Sequence, residues 1–146
     1  MIAYLDSSVL LRIVVGQEDR LAEWGEIAAG VTGALTEVEC LRTLDRLRIL
    51  RSISDAALAV RREAVFRLLR SVEIVATTRA VLERASLPAP TALGTLDAIH
   101  LASAMLWRER AKTELVMATH DRGLARAARA CGLTAIGIPG GDGDPS

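Results

Sequence analysis

Short apolar runs alternate along this chain with longer segments in which apolar residues recur every three or four positions. The runs are Ile2 to Leu5, Val31 to Leu35, Val72 to Val75, Leu115 to Ala118 and Thr134 to Ile138. Each has the length of a buried strand and none alternates cleanly with polar residues, which predicts strands of a parallel sheet covered on both faces. Between them, Val38, Leu41, Leu44 and Leu47 mark one helical face, and Leu58, Val65, Leu68 and Leu69 a second. Ile99, Ala102 and Leu106 mark a third, and Leu124, Ala127, Ala128 and Cys131 a fourth, which Gly132 is placed to end. This order predicts an α/β sandwich with right-handed crossovers, in which helices outnumber strands. The 146 residues suit one domain, expected over positions 1–139. The tail from Gly140 to Ser146 is too polar and glycine-rich to pack and is expected to be disordered.

Four acids fall near the starts of helices. Asp6 follows the first run in YLDSSVL, Glu39 lies just after the second in ALTEVECLR, and Asp121 follows the fourth in VMATHDRGLA. Asp97 opens the segment LDAIHLASA after a loop. Each alone has an ordinary explanation, since Asp is a favoured N-cap and acids in a first turn complement the helix dipole. Thr36 and Glu39 even fit a capping box. Together they point elsewhere. In a parallel sheet the carboxyl ends of the strands share one edge, so acids placed there converge. Converging carboxylates repel one another unless a cation joins them, and hard oxygen donors without His or Cys spacing suit Mg²⁺, with Mn²⁺ as a substitute. Magnesium takes one or two carboxylates directly, which assigns Asp6 and Asp97 to the ion and leaves Glu39 and Asp121 to a second ion or to bound water. In-line attack on a phosphodiester by metal-activated water is the chemistry such a cluster serves.

Composition limits the alternatives. Hydrophobic residues make up 51% of the chain, enough for a core without staples, whereas aromatics at 3% leave few rings for stacking bases. Eighteen basic residues balance eighteen acidic ones, which weighs against polynucleotide binding through bulk charge and points to a local site, with a local arginine face as an addition. Cys40 and Cys131 read as reduced core thiols of a cytoplasmic protein, and nothing in the start MIAYLDSSVL or elsewhere reads as a leader or membrane span.

At these acids the sequence resembles the PIN-domain family, and within it the VapC-type ribonuclease toxins of bacterial toxin–antitoxin pairs. The resemblance is carried by YLDSSVLLR, ALTEVECLRTL, LDAIHLASA and ATHDRGLARAARACGL, in that order, from Met1 to about Pro139. It implies a three-layer α/β/α sandwich on a parallel sheet of about five strands, with an acidic metal-dependent endoribonuclease centre mapping onto Asp6, Glu39, Asp97 and Asp121. It also implies supporting hydroxyls at Ser7 and Thr119, a homodimer, and a cognate antitoxin whose C-terminal segment covers the site. Glu37 competes with Glu39 for the second position, and the family pattern, with Leu41 and Arg42 following, favours Glu39.

The remaining candidates are weaker. Arg42 and Arg46 belong to an arginine-rich stretch from Leu41 to Arg70 that is either a solvated face or a contact for RNA phosphates or an acidic partner. His100 and His120 flank two of the acids and are expected to pack or face solvent rather than act as general bases. A serine nucleophile lacks its His–Asp partners. A haloacid-dehalogenase-type phosphatase needs a second Asp where Ser8 stands, and a receiver domain needs a late lysine where the chain has only Lys112. The alternative to the enzyme is a non-catalytic module of the same fold that binds RNA or protein.

Overall fold

The computed structural model describes residues 1–138, so the expected disorder of the tail lies outside the described residues. The elements run β1 (Ile2–Leu5), α1 (Ser7–Val15), a 3₁₀ turn (Ala22–Glu26), β2 (Ala29–Gly33), α2 (Leu35–Ile49) and α3 (Asp55–Arg70). They continue as β3 (Glu73–Val75), α4 (Arg79–Ala85), α5 (Thr95–Ala111), β4 (Val116–Ala118), α6 (Arg122–Ala130) and β5 (Thr134–Ile136). All strand pairs are parallel, in the order β3-β2-β1-β4-β5. The central strand β1 shows why three layers form. Ala3 and Leu5 are buried toward α1, α2 and α3, while Tyr4 is buried on the opposite face among residues of α4, α5 and α6. A strand with both faces covered cannot alternate apolar with polar residues, which is the pattern its sequence shows.

Five apolar runs thus become five strands, the first with the same bounds and the other four with one or both ends moved by one or two residues. Leu35 opens α2 instead of closing β2. β5 stops at Ile136 because Gly137, at φ +102°, turns the chain so tightly that a Cβ would strike the Thr119 carbonyl. Gly132 follows the end of α6 at φ +82°, as expected of a residue that terminates a helix. The predicted inner face of α2 is corrected. Leu44 is buried as predicted and Leu41 and Leu47 pack partly against the core, but Val38 is 54% exposed, and Thr36 and Cys40 turn to the core in its place. A threonine can replace the valine there because its hydroxyl pairs with Thr32 Oγ1 at 2.8 Å. α4, which the apolar spacing did not reveal, is a short helix capped by Thr78. Among the described residues no helix is long and apolar enough to cross a membrane.

Candidate active site

The sheet order sets the site. From β1 the chain moves to β2 and β3 on one side, and returns later to β4 and β5 on the other. The carboxyl ends of β1 and β4 therefore flank the switch point where parallel α/β sheets open a crevice. Asp6 leaves β1 there, and Thr119, His120 and Asp121 leave β4 beside it.

Asp6 is the hub. It is 4% exposed and caps α1, with Oδ1 accepting from Ser7 N–H at 2.8 Å. Its Oδ2 accepts from Ser8 Oγ and from Thr119 Oγ1, both at 2.8 Å. The same two hydroxyls tie in the β4 loop, because Ser8 Oγ accepts from His120 N–H and Thr119 Oγ1 from Asp121 N–H, each at 3.0 Å. Asp121 is exposed and caps α6 through Leu124 N–H at 2.8 Å. Thr119 is wholly buried, so its hydroxyl has no water to fall back on. Thr119→Val should therefore destabilise the fold by about 1–3 kcal/mol, the cost of leaving a buried donor or acceptor unpaired. A urea melt checks this, and an unchanged midpoint would show that the two loops do not depend on the hydroxyl.

Glu39 reaches the same place from another element, and the capping-box reading of it is corrected. The residue before α2 is Ala34, with no side-chain cap, and Glu39 is already the fifth residue of the helix. Its Oε2 accepts from Ser7 Oγ at 3.1 Å and its Oε1 from His100 Nε2 at 2.5 Å. Glu37 is exposed, which settles the choice between the two in favour of Glu39 as the inward-facing acid. Burial pushes the Glu39 carboxyl up, but the bond and charge of His100 and the Ser7 hydroxyl outweigh it and hold the group below its ordinary range. For His100, burial pulls down, and Glu39, Asp6 and Asp97 more than restore it, so the ring titrates above its usual value.

Asp97, the third residue of α5, caps nothing, since the N-cap is Gly94. Its carboxyl is pushed up to about 6 by burial and then by the charges of Asp121 and Asp6, with Glu39 adding to them and His100 opposing. Asp97 is thus within electrostatic reach of the other three predicted acids. Among the described residues no three of the His, Cys, Asp and Glu side chains are already spaced to close on one ion. Asp6 and Asp121 direct oxygens to helix caps and Glu39 leans on His100, an arrangement that suits an ion keeping much of its water. The donor set is oxygen with unbalanced negative charge, and it fits Mg²⁺ or Mn²⁺.

Ser8, which reads from the sequence as a cap or a water-mediated metal contact, bonds Asp6, and His100, expected to pack or face solvent, bonds Glu39, whereas Tyr4 is not legible in the sequence as part of this site. Tyr4 carried one signal: a lone buried tyrosine needs a partner for its hydroxyl, and finds it in His100 Nδ1 at 2.8 Å. Arg42 and Arg46 are exposed on α2, on the side of Glu39 by helical spacing. Cys40 is buried behind Asp6 and Glu39, and burial, with those charges, pushes its thiol up to about 12, so it is no nucleophile.

No curated protein matches this sequence. Among the solved structures that share the fold are three from toxin–antitoxin systems. A toxin–antitoxin complex from Klebsiella pneumoniae is 18% identical with a TM-score of 0.62, covering 84% of this chain and 90% of its own. VapBC2 from Rickettsia felis, bound to a DNA fragment from its promoter, is 12% identical with a TM-score of 0.60, covering 92% and 97%. VapBC-1 from nontypeable Haemophilus influenzae is 13% identical with a TM-score of 0.58, covering 92% and 96%. The PIN domain family model matches residues 3–130, a span that takes in all four acids, and the chain belongs to that family.

Proposed function

We propose that this chain is a Mg²⁺- or Mn²⁺-dependent endoribonuclease and the toxin of a toxin–antitoxin pair, with Asp6, Glu39, Asp97 and Asp121 as its catalytic acids. The observation that carries the reading is the gathering of acids at the carboxyl ends of β1 and β4, where Asp6 and Asp121 share Thr119 and Glu39 joins them through Ser7, and the raised Asp97 carboxyl agrees with it. A fold places several carboxylates against one another at a crevice when a cation is to join them. Solved toxin–antitoxin complexes with the same fold support the toxin half.

Asp6 and Asp97 would hold the ion most directly, with Glu39 and Asp121 holding a second ion or bound water. Such an ion supplies an activated water and balances charge on the attacking and leaving oxygens of the phosphodiester. The chain does the rest. Ser7, Ser8 and Thr119 fix Asp6 so that it need not reorganise, and exposed Asp121 borders the opening through which RNA arrives. Arg42 and Arg46 hold flanking phosphates on the exposed side of α2. The active form is a homodimer, which sedimentation velocity checks.

The direct test is incubation of the folded chain with a mixed RNA pool in Mn²⁺, in Mg²⁺ and in EDTA. Internal cleavage with either ion, and none in EDTA, is the expected result. Intact RNA under every condition would leave the non-catalytic binding module.

Thermal melts offer an independent check with a definite pH dependence. Millimolar Mn²⁺ should raise Tm by a few degrees above pH 7, because the ion binds only the folded cluster. The gain should fade below about pH 6, where Asp97 takes up a proton and the cluster loses a ligand. An equal gain at pH 5 would place the ion elsewhere.

A further inference from the structure

The four acids leave two buried polar side chains beside them without a role. His100 is 1% exposed and stands three residues beyond Asp97 on α5. Tyr4 is 0% exposed and stands two residues before Asp6 on β1. Their rings meet edge to face, with centroids 5.8 Å apart at 71°. The Tyr4 hydroxyl meets Nδ1 at 2.8 Å, and Nε2 meets Glu39 Oε1 at 2.5 Å while lying 3.8 Å from Asp6 Oδ1. A carboxylate only accepts, so Nε2 carries the proton and donates it to Glu39.

The surroundings are shaped around this pair. β2 ends at Gly33, where a Cβ would come within 2.6 Å of the Tyr4 hydroxyl and 3.5 Å of His100 Nδ1. Any side chain there would push the hydroxyl off the ring, so the backbone yields room to the pair. Glu39 is long, and its side-chain rotamers have to be ordered before it can serve as a ligand. His100 from one layer and Ser7 from the other grip its two oxygens, and each oxygen keeps a lone pair for a further partner.

We infer that Tyr4 and His100 are positioning residues: together they aim the Glu39 carboxylate at the acidic cluster, and the affinity of that cluster for a divalent ion depends on them. The inference rests on the metal-dependent nuclease reading. Partners that orient a ligand from behind typically contribute 10–100-fold to metal affinity. A purely structural pair would contribute to folding and leave affinity unchanged.

The test is Mn²⁺ binding to the full chain without RNA, followed through the electron paramagnetic resonance signal of the free aqueous ion. His100→Leu should raise the Kd about 10–100-fold. His100→Gln should recover part of that loss, because its amide nitrogen lies as many bonds from the backbone as Nε2 and donates the same hydrogen bond, while the Nδ1 that Tyr4 anchors is gone. Tyr4→Phe keeps the ring and its packing and removes only the hydroxyl, so it folds even where His100→Leu does not. It should raise the Kd by about threefold or more, as the ring loses its anchor. Wild-type Kd in folded Tyr4→Phe, or in folded His100→Leu, overturns the inference while leaving the nuclease reading intact. Absence of Mn²⁺ binding by the wild-type chain overturns the metal centre itself, and the pair's role with it.

Discussion

Asp97→Asn is expected to reduce RNA cleavage about a thousandfold or more while making the metal-free protein more stable. The loss follows from removing a ligand of an ion that contributes several kcal/mol to charge stabilisation in the transition state, at 1.36 kcal/mol for each tenfold in rate. The gain in stability follows from the raised carboxyl. A folded-state value near 6 against an ordinary 3.8 means that the folded chain holds the Asp97 proton more tightly than the unfolded chain does. This group's contribution to stability therefore falls as pH rises between those values. Above about pH 6 its charge costs the fold about 1–2 kcal/mol, after allowance for screening by the solvent that reaches it. Asp97→Asn should accordingly melt at the wild-type temperature near pH 4 and a few degrees higher at pH 7.5, with EDTA present in both. A variant that cleaves RNA at the wild-type rate, or that melts lower at pH 7.5, would remove Asp97 from the cluster. Asp121→Asn separates capping from catalysis in the same way, since asparagine caps a helix about as well as aspartate does, whereas Asp6→Asn would also remove the acceptor that Ser8 and Thr119 use.

The sequence makes the acids visible because three of them obey local rules that place them at element boundaries. Asp6 and Asp121 do cap helices, as any reader of propensities would say, and their further part arises only from where the strands go. The order β3-β2-β1-β4-β5 brings those two caps side by side, and strand order is a property of pairings between residues more than a hundred positions apart, such as Leu5 with Ala118. No periodicity reports it. The strands were legible because both faces of the sheet are covered and each run is therefore uniformly apolar. Their ends were less so, because Leu35 serves a helix as readily as a strand.

Glu39 shows how local rules mislead. Thr36 and Glu39 have the spacing of a capping box, yet Thr36 bonds Thr32 from a position facing the core, and Glu39 spans the gap to His100 on α5, 61 residues away. The same rotation of α2 exposes Val38, which hydrophobicity alone assigned to the core. A helix carrying one acid inward must turn some apolar residue outward, and the polar contacts that decide the rotation lie on other elements. His100 is similar. Its neighbours in sequence make it a core residue of α5, and only the fold sets Tyr4 on one of its nitrogens and Glu39 on the other.

On the proposed toxin reading, expressing the wild-type chain alone in bacteria should cut colony number by orders of magnitude, and co-expressing a cognate antitoxin, a small protein of the kind found in such pairs, should restore growth. A nuclease with exposed Asp121 and partly exposed Asp97 at an open crevice is harmful until something covers those acids. An arginine fork from a partner matches that chemistry, because a planar guanidinium pairs with carboxylates through two parallel hydrogen bonds and neutralises the charge a cation would otherwise balance. On that reading the rest of the partner would lie against exposed apolar residues at α2 and α3, of which Val38, Ile49, Leu50 and Val60 are each more than half exposed, at 54%, 63%, 68% and 63%. An amphipathic helix laid along those residues would bury them, and the arginines of the same helices would favour acidic positions in it. Asp97→Asn supplies the decisive comparison. It should be harmless when expressed alone, yet should still capture the small protein with nearly wild-type affinity, because most of the contact lies away from the altered carboxyl. Binding lost together with toxicity would mean that the partner recognises the charged cluster and little else. A wild-type chain that is abundant, folded and benign would end the toxin assignment and leave the nuclease to be judged on RNA cleavage alone.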